Sequence, residues 1–149
     1  MSRLLILALW AVACFGQITS IPGNTGGGAV TGGRYSLGYN FDGAGSALTT
    51  QTRYAQVPFG CVIIAWNIIV DTGTATVKVY RKATGGTTLP AGGDSINTSG
   101  VSISSGNVIR STTLTDFTSL TISAGDVLGF AITSVASATT LHFNLECTQ

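Results

Sequence analysis

The sequence has little charge. Asp, Glu, Lys and Arg make up 9% of its 149 residues, with seven basic and six acidic side chains. A nucleic-acid-binding domain needs a basic stripe or patch, and Arg81-Lys82 is too small a cluster to form one. The sequence therefore predicts no nucleic-acid partner.

Catalytic side chains are also scarce. His142 is the one histidine, so Ser-His-Asp or Cys-His chemistry would have to use it. Strand alternation places His142 on the same side as Asn144 and Glu146, which indicates a polar stripe facing solvent or another subunit. His142 and Glu146 lie about 13 Å apart along an extended strand, too far to share one ion. Asp126, after Gly125, is interpreted as a turn residue and not a calcium ligand. We predict no enzyme activity, no metal and no cofactor.

Long apolar runs are limited to the N-terminus. Arg3 precedes an apolar stretch from Leu4 to Ala13, and Ala11-Val12-Ala13 has the small residues that a signal peptidase reads. The stretch is too short for a permanent membrane anchor. We predict that residues 1–16 are a secretory signal cut near residues 13 to 17, the alternative being a buried N-terminal helix. No transmembrane span is expected.

The predicted location is secreted or at the cell surface. Ala11-Val12-Ala13-Cys14 is similar to a lipoprotein box, which would leave Cys14 acylated and the domain tethered. Removal of Arg3 with the signal leaves six basic residues (seven minus one) against six acidic ones, so the predicted mature chain has no net charge. Residues 17–33 include Gly26-Gly27-Gly28 and few large apolar residues, which predicts a flexible linker. Residues 34–149 are the expected folded domain.

Cysteine is rare, with three in the chain. Cys14 falls at the predicted signal boundary, which leaves Cys61 and Cys147 in the exported protein. Two cysteines in an oxidising compartment make a disulfide a candidate. The alternative is that both are small buried hydrophobic residues.

What the sequence does contain is β-strand patterning. Thr74 to Arg81 alternates apolar and polar residues, and so does Thr139 to Glu146. No segment after residue 16 has a helical apolar period. Asp71-Thr72-Gly73 is read as a hairpin connection between two strands. The prediction is an all-β fold, an antiparallel β-sandwich of the jelly-roll type.

The strand from Cys61 to Val70 is apolar on both faces. Simple alternation puts Val62, Ile64, Trp66, Ile68 and Val70 on one face, and Ile63, Ala65, Asn67 and Ile69 on the other. One face would close the sandwich, and the other, with Ile63 and Ile69, would contact a partner subunit or be covered by residues 35–41. The predicted core consists of Ile64, Trp66, Ile68, Val77, Val79, Leu128, Phe130, Leu141 and Phe143.

Several of these features occur together in one known family. The matching segments are Gly60-Cys61-x-Ile63-x-x-Trp66, Asp71-x-Gly73-x-x-x-Val77-x-Val79, Ser95-Ile96, Ser111-Thr112-Thr113-Leu114-x-x-Phe117, Ile122-x-x-Gly125-Asp126-Val127-Leu128-x-Phe130 and Leu141-x-Phe143-x-Leu145. In this order they resemble a domain at the ends of bacteriophage tail fibres and related collagen-like or receptor-binding fibre proteins. The resemblance implies a jelly-roll fibre tip, often trimeric, that touches a cell surface.

The expected function combines this resemblance with the predicted signal. Tail fibres assemble in the cytoplasm and need no signal, so the chain is read as an exported relative. We expect a non-enzymatic adhesive or surface-binding module, a homo-trimer with a cell-surface glycan or protein as ligand. The rivals are a lectin-like carbohydrate-binding domain and a small secreted hydrolase. For the lectin, Tyr35, Tyr39, Phe41 and Tyr54 would form a sugar-stacking platform, against core packing as the alternative.

Overall fold

Short strands separated by turns make up most of the chain in the computed structural model, which describes residues 33–104 and 107–149. The predicted signal, Cys14 and nearly all of the predicted linker lie outside these residues. The first strand begins at Arg34, where the folded domain was expected to start. The strands are β1 Arg34–Asp42, β2 Gln51–Gln56, β3 Cys61–Val70, β4 Thr74–Lys82, β5 Val101–Ser104, β6 Val108–Ser111, β7 Thr121–Ile122, β8 Val127–Ala136 and β9 Thr140–Thr148, with a short 3-10 helix at Gly92–Asp94.

The strands form two antiparallel sheets packed face to face. The first sheet has the order β1-β9-β3-β6, with β7 also pairing with β3, and the second has the order β2-β8-β4-β5. From β1 to β4, successive strands alternate between the two sheets. This is the strand order of a jelly roll, with the two-residue β7 as an addition. The predicted fold class is confirmed.

The core lies between the sheets. Seven of the predicted core residues are at most 2% exposed: Ile68, Val77, Val79, Leu128, Phe130, Leu141 and Phe143. The rings of Phe130 and Phe143, one from each sheet, have centroids 6.1 Å apart. The other two predicted core residues, Ile64 and Trp66, are half-buried.

A β-bulge in β3 explains where the predicted face assignment was wrong. Ile63 pairs with Cys147 but Ala65 pairs with Glu146, so Ile64 is an extra residue without a partner on β9. Alternation is correct from Trp66 onward and reversed before the bulge. Ile63, expected at a subunit interface, is 1% exposed and belongs to the core, whereas Val62 is 43% exposed.

The connection after β3 also differs from the prediction. Residues 71–73 do not close a hairpin, because β3 and β4 belong to different sheets. They form a corner between the sheets, where Gly73 adopts a φ of +67°. The Asp71 carboxylate accepts hydrogen bonds from the Thr139 hydroxyl and from Thr139 N, the latter at 3.1 Å. The bond from the hydroxyl is the main cause that holds the pKa of Asp71 well below its usual range. Asp71 therefore ties this corner to the β8–β9 loop.

Asp126 is the turn residue that the sequence predicted. It is 1% exposed, and its Oδ2 accepts hydrogen bonds from Ser123 N at 2.8 Å and from Arg81 Nε at 2.6 Å. Its Oδ1 accepts from Thr84 N at 3.2 Å. Asp126 thus joins the start of β8 to the end of β4.

Candidate functional site

The outer face of the first sheet contains the polar stripe predicted around His142. Strands β1, β9, β3 and β6 lie side by side there, and their outward side chains form rows across the strands. We call this surface the outer face. Its residues are Arg34, Ser36, Gly38, Asn40, Asp42, Val62, Ala65, Asn67, Ile69, Val108, Arg110, Thr140, His142, Asn144, Glu146 and Thr148.

An ion pair crosses the middle of the outer face. Arg110 Nε lies 2.6 Å from Glu146 Oε1, and Arg110 Nη2 lies 2.5 Å from Glu146 Oε2. Bidentate pairs of this kind, with two N–H groups donating to the two carboxylate oxygens, are the strongest arginine–carboxylate contacts. Hydrogen bonds from Arg110 lower the pKa of Glu146, and the same bonds raise the pKa of Arg110. Arg110 and Glu146 therefore neutralise each other within one chain.

This ion pair spans β3, because Arg110 is on β6 and Glu146 is on β9. Arg110 is opposite Asn67 and Glu146 is opposite Ala65, so the bridge crosses β3 between these two residues. Ala65 points outward and is nevertheless 0% exposed. We attribute that burial to the ion pair above it.

Two asparagines beside the ion pair have side-chain oxygens without a hydrogen-bond partner. Asn67 and Asn144 are directly opposite each other on β3 and β9. Within the described part of the chain, the Oδ1 atom of each is buried and accepts no hydrogen bond. The Nδ2 of Asn144 donates to Ser36 Oγ at 2.5 Å. A buried acceptor without a donor costs about 1–3 kcal/mol of stability. These two oxygens could therefore each accept a further hydrogen bond.

His142 extends the polar surface toward the far end of β9. Its Nδ1 lies 2.5 Å from Asn40 Oδ1, which assigns the proton of the neutral ring to Nδ1. Burial lowers the pKa of His142, so the ring is neutral near pH 7. Its bonding partner is an amide and not a carboxylate, so the arrangement lacks the orienting acid of a catalytic triad.

Exposed apolar side chains are concentrated on the outer face. Of the five large hydrophobic residues that the described chain leaves exposed, three lie here. Val108 is 67% exposed and Ile69 is 37% exposed, and the two are cross-strand partners. Val62 is near the opposite end of the same surface. Ile69 is thus placed as predicted.

The intramolecular cover considered for this surface is absent from the described residues. Residues 35–41 belong to β1, which pairs edge-on with β9 and extends the sheet. A strand in the plane of the sheet cannot also lie over it. Within the ranges 33–104 and 107–149, β1 therefore leaves the outer face uncovered.

The predicted sugar-stacking platform does not form as one surface. Phe41 is 3% exposed, and Tyr39 packs against it with ring centroids 5.3 Å apart. Tyr35 packs against Phe59 at 4.2 Å. Tyr54 is 40% exposed and points away from the sandwich on the second sheet. Only Tyr54, of the four, is available for stacking.

Cys61 and Cys147 are brought together, as free thiols, inside the sandwich. They are 5% and 0% exposed. Their strands are antiparallel neighbours, as predicted, with Cys147 opposite Ile63 and therefore diagonal to Cys61. Interaction with Cys147 lowers the pKa of Cys61, and interaction with Cys61 together with burial raises the pKa of Cys147. The disulfide itself stays a prediction.

Two further properties concern ligands and membranes. No group of three or more His, Cys, Asp or Glu side chains is arranged to hold a metal ion among residues 33–104 and 107–149. Nor does this part of the chain contain a helix of the length and hydrophobicity needed to cross a membrane. Comparison with family models, curated proteins and solved structures gives no match.

Proposed function

We propose that the chain is an exported, non-enzymatic surface-binding module that self-associates through the outer face of its first sheet. The observation behind this is that Val62, Ile69 and Val108 are exposed on a face that the described residues leave uncovered, with Ile69 and Val108 paired across β3 and β6. Exposed apolar patches on soluble proteins often mark interaction sites. A second copy of the chain is the occupant that fits best.

Charge favours association between identical copies. Arg110 and Glu146 neutralise each other, Arg34 and Asp42 at the two ends of β1 have opposite charges, and His142 is neutral. Like copies therefore meet without strong repulsion across this surface. The unpartnered Oδ1 atoms of Asn67 and Asn144 also favour association, because each could accept a hydrogen bond from another copy. A donor from another copy that reached either oxygen would satisfy it, and satisfying a buried acceptor is worth about 1–3 kcal/mol.

We further propose a trimer that binds a cell-surface ligand, on the strength of the resemblance to fibre-tip domains. A trimer that buries the outer face leaves the second sheet pointing outward in each copy. Several copies of one weak site then act together, and such avidity exceeds the affinity of one site by about 10²–10⁴-fold.

A lectin-like activity is a second candidate, and Tyr54 favours it. Tyr54, Gly129 and Tyr80 form one cross-strand row on the outward side of the second sheet. A Cβ atom on Gly129 would lie 3.1 Å from Cε1 of Tyr54, so the ring leans over the glycine. Tyr54 nevertheless stays 40% exposed. An exposed aromatic ring beside a glycine is suited to stacking on a sugar.

Binding of the mature chain to arrayed glycans tests both candidates. Parent protein should bind at least one glycan class. An Ile69→Lys/Val108→Lys variant should lose most of that binding through lost avidity, whereas Tyr54→Ala should abolish binding without changing the mass in solution. Binding that is equal in parent and the double lysine variant would contradict the self-associating module. Binding unaffected by Tyr54→Ala would contradict the stacking site.

A further inference from the structure

We propose that Cys61 and Cys147 are an intramolecular cross-linking site, which a small disulfide oxidant converts into a bond between β3 and β9. Both side chains face the interior of the sandwich from adjacent antiparallel strands, with Cys147 diagonal to Cys61. Cys61 is the first residue of β3, and Cys147 precedes the last residue of β9. The bond would fasten the end of the folded chain to a central strand.

The two thiols have unequal roles. Interaction with Cys147 lowers the pKa of Cys61. Interaction with Cys61, together with burial, raises the pKa of Cys147. Thiolates are the attacking species in disulfide exchange. Cys61 is therefore the thiol that reacts with the oxidant, and Cys147 is the thiol that resolves the intermediate.

The position of Cys61 also makes it the accessible member of the pair. It pairs with Ile122 of β7, a strand of two residues. An element with so few backbone hydrogen bonds opens more readily than the long strands on the other side. Cys147 lies between β1 and β3 in the sheet and is fully buried. Local opening of β7 exposes Cys61 first.

Closure requires a small movement of the strand ends. Diagonal partners on adjacent strands start with Cα atoms about 7–8 Å apart, just beyond the usual disulfide range of about 4.4–6.8 Å. Gly60 precedes Cys61, and the bulge at Ile64 follows it three residues later. These two irregular points allow the first residues of β3 to shift toward β9.

The chemistry balances with an external disulfide such as oxidised glutathione. The Cys61 thiolate attacks one sulfur, which forms a mixed disulfide and releases one glutathione thiolate. Cys147 gives up its proton and attacks the Cys61 sulfur, which forms the internal bond and releases the second glutathione. The protein loses two electrons and two protons, and the oxidant becomes two thiols.

Intact-mass measurement on the mature chain tests the site. Protein prepared with free thiols is incubated with oxidised glutathione, and remaining thiols are then blocked with a maleimide in denaturant. The parent should lose two hydrogens and take up no maleimide. With Cys147→Ser, Cys61 should accumulate a glutathione adduct. With Cys61→Ser, Cys147 should react at least about tenfold more slowly, in line with its burial and lower thiolate fraction.

Stability gives a second readout. The oxidised parent should unfold at higher urea concentration than the reduced parent, because the cross-link restricts the unfolded chain. A Cys61→Ala/Cys147→Ala variant should unfold at the same urea concentration whether or not it has been treated with oxidised glutathione. The proposal is overturned if the parent, after refolding in oxidised glutathione, still takes up two maleimides or holds glutathione on both cysteines. Equal adduct rates in the two serine variants would overturn the assigned roles.

Discussion

Arg110 and Glu146 form an ion pair across β3, with Arg110 Nε 2.6 Å from Glu146 Oε1. Ala65 of β3 is fully buried beneath this pair. A side chain larger than alanine at residue 65 would meet the ion pair. The small size of residue 65 and the two charges on the strands that flank β3 are thus one structural feature. The ion pair also neutralises these two charges on the surface to which we assign self-association.

Enlarging Ala65 tests that relationship. Ala65→Leu should lower the free energy of unfolding by about 1–3 kcal/mol, the usual cost of overpacking. In an Arg110→Ala background the same substitution should cost clearly less, because the bridge no longer covers the site. Urea unfolding of the four proteins measures the difference. Equal costs in both backgrounds would show that the ion pair does not bury Ala65.

Asp126 should be the most sensitive carboxylate. Asp126→Ala removes the acceptor for Arg81 Nε and for the backbone amides of Ser123 and Thr84. Breaking a buried pair costs about 3–5 kcal/mol, and we expect about 3 because Arg81 is 23% exposed and regains water. Asp42→Ala is the matched control, since the Asp42 carboxylate bonds Ala44 N on the surface. A control variant as destabilised as Asp126→Ala would contradict this assignment.

Trp66 should contribute through packing more than through its hydrogen bond. It is half-buried against the core, and its Nε1 donates to Thr113 O at 3.1 Å. Trp66→Ala should cost about 3 kcal/mol, the lower end of the range for large aromatic residues. Trp66→Phe should cost about 1 kcal/mol through loss of the hydrogen bond. Chemical unfolding provides both values, and a Trp66→Ala protein as stable as the parent would remove Trp66 from the packed core.

The fold was largely predictable because jelly-roll strands alternate apolar and polar residues. Val77, Val79, Leu141 and Phe143 follow that alternation and are all buried. The bulge at Ile64 was not predictable, because nearly every residue around it is apolar and either register buries hydrophobic side chains. The Asp71-Thr72-Gly73 corner has the composition of a hairpin turn, and only the sheet order distinguishes the two.

The candidate site was predictable in part. Alternation along β9 placed His142, Asn144 and Glu146 on one side, which the structure confirms. The partnership of Glu146 with Arg110 depends on β3 lying between β6 and β9, and local pattern does not determine strand order. The opposed Asn67 and Asn144 were missed for the same reason, although Asn67 is the one strongly polar residue in an apolar strand.

Acid should weaken the fold in two steps. The pKa values of His142 and Glu146 lie below their ordinary values, because of burial and of hydrogen bonds from Arg110 respectively. Both groups bind fewer protons folded than unfolded, so stability is complete above about pH 6.5. It falls first as unfolded His142 gains a proton, and again below about pH 4.3. His142→Gln should remove the first step from urea midpoints measured across this range, and a midpoint profile identical to that of the parent would contradict it.

The mass in solution of residues 17–149, the predicted mature chain, tests the central claim most directly. Sedimentation at micromolar concentration should show an assembly of three chains. Ile69→Lys/Val108→Lys should sediment as a folded monomer, because two charges then replace the exposed apolar pair. Leu89→Lys is the matched control, since Leu89 is 60% exposed outside the outer face, and it should stay assembled. A parent protein that is already monomeric under these conditions would contradict self-association through the outer face.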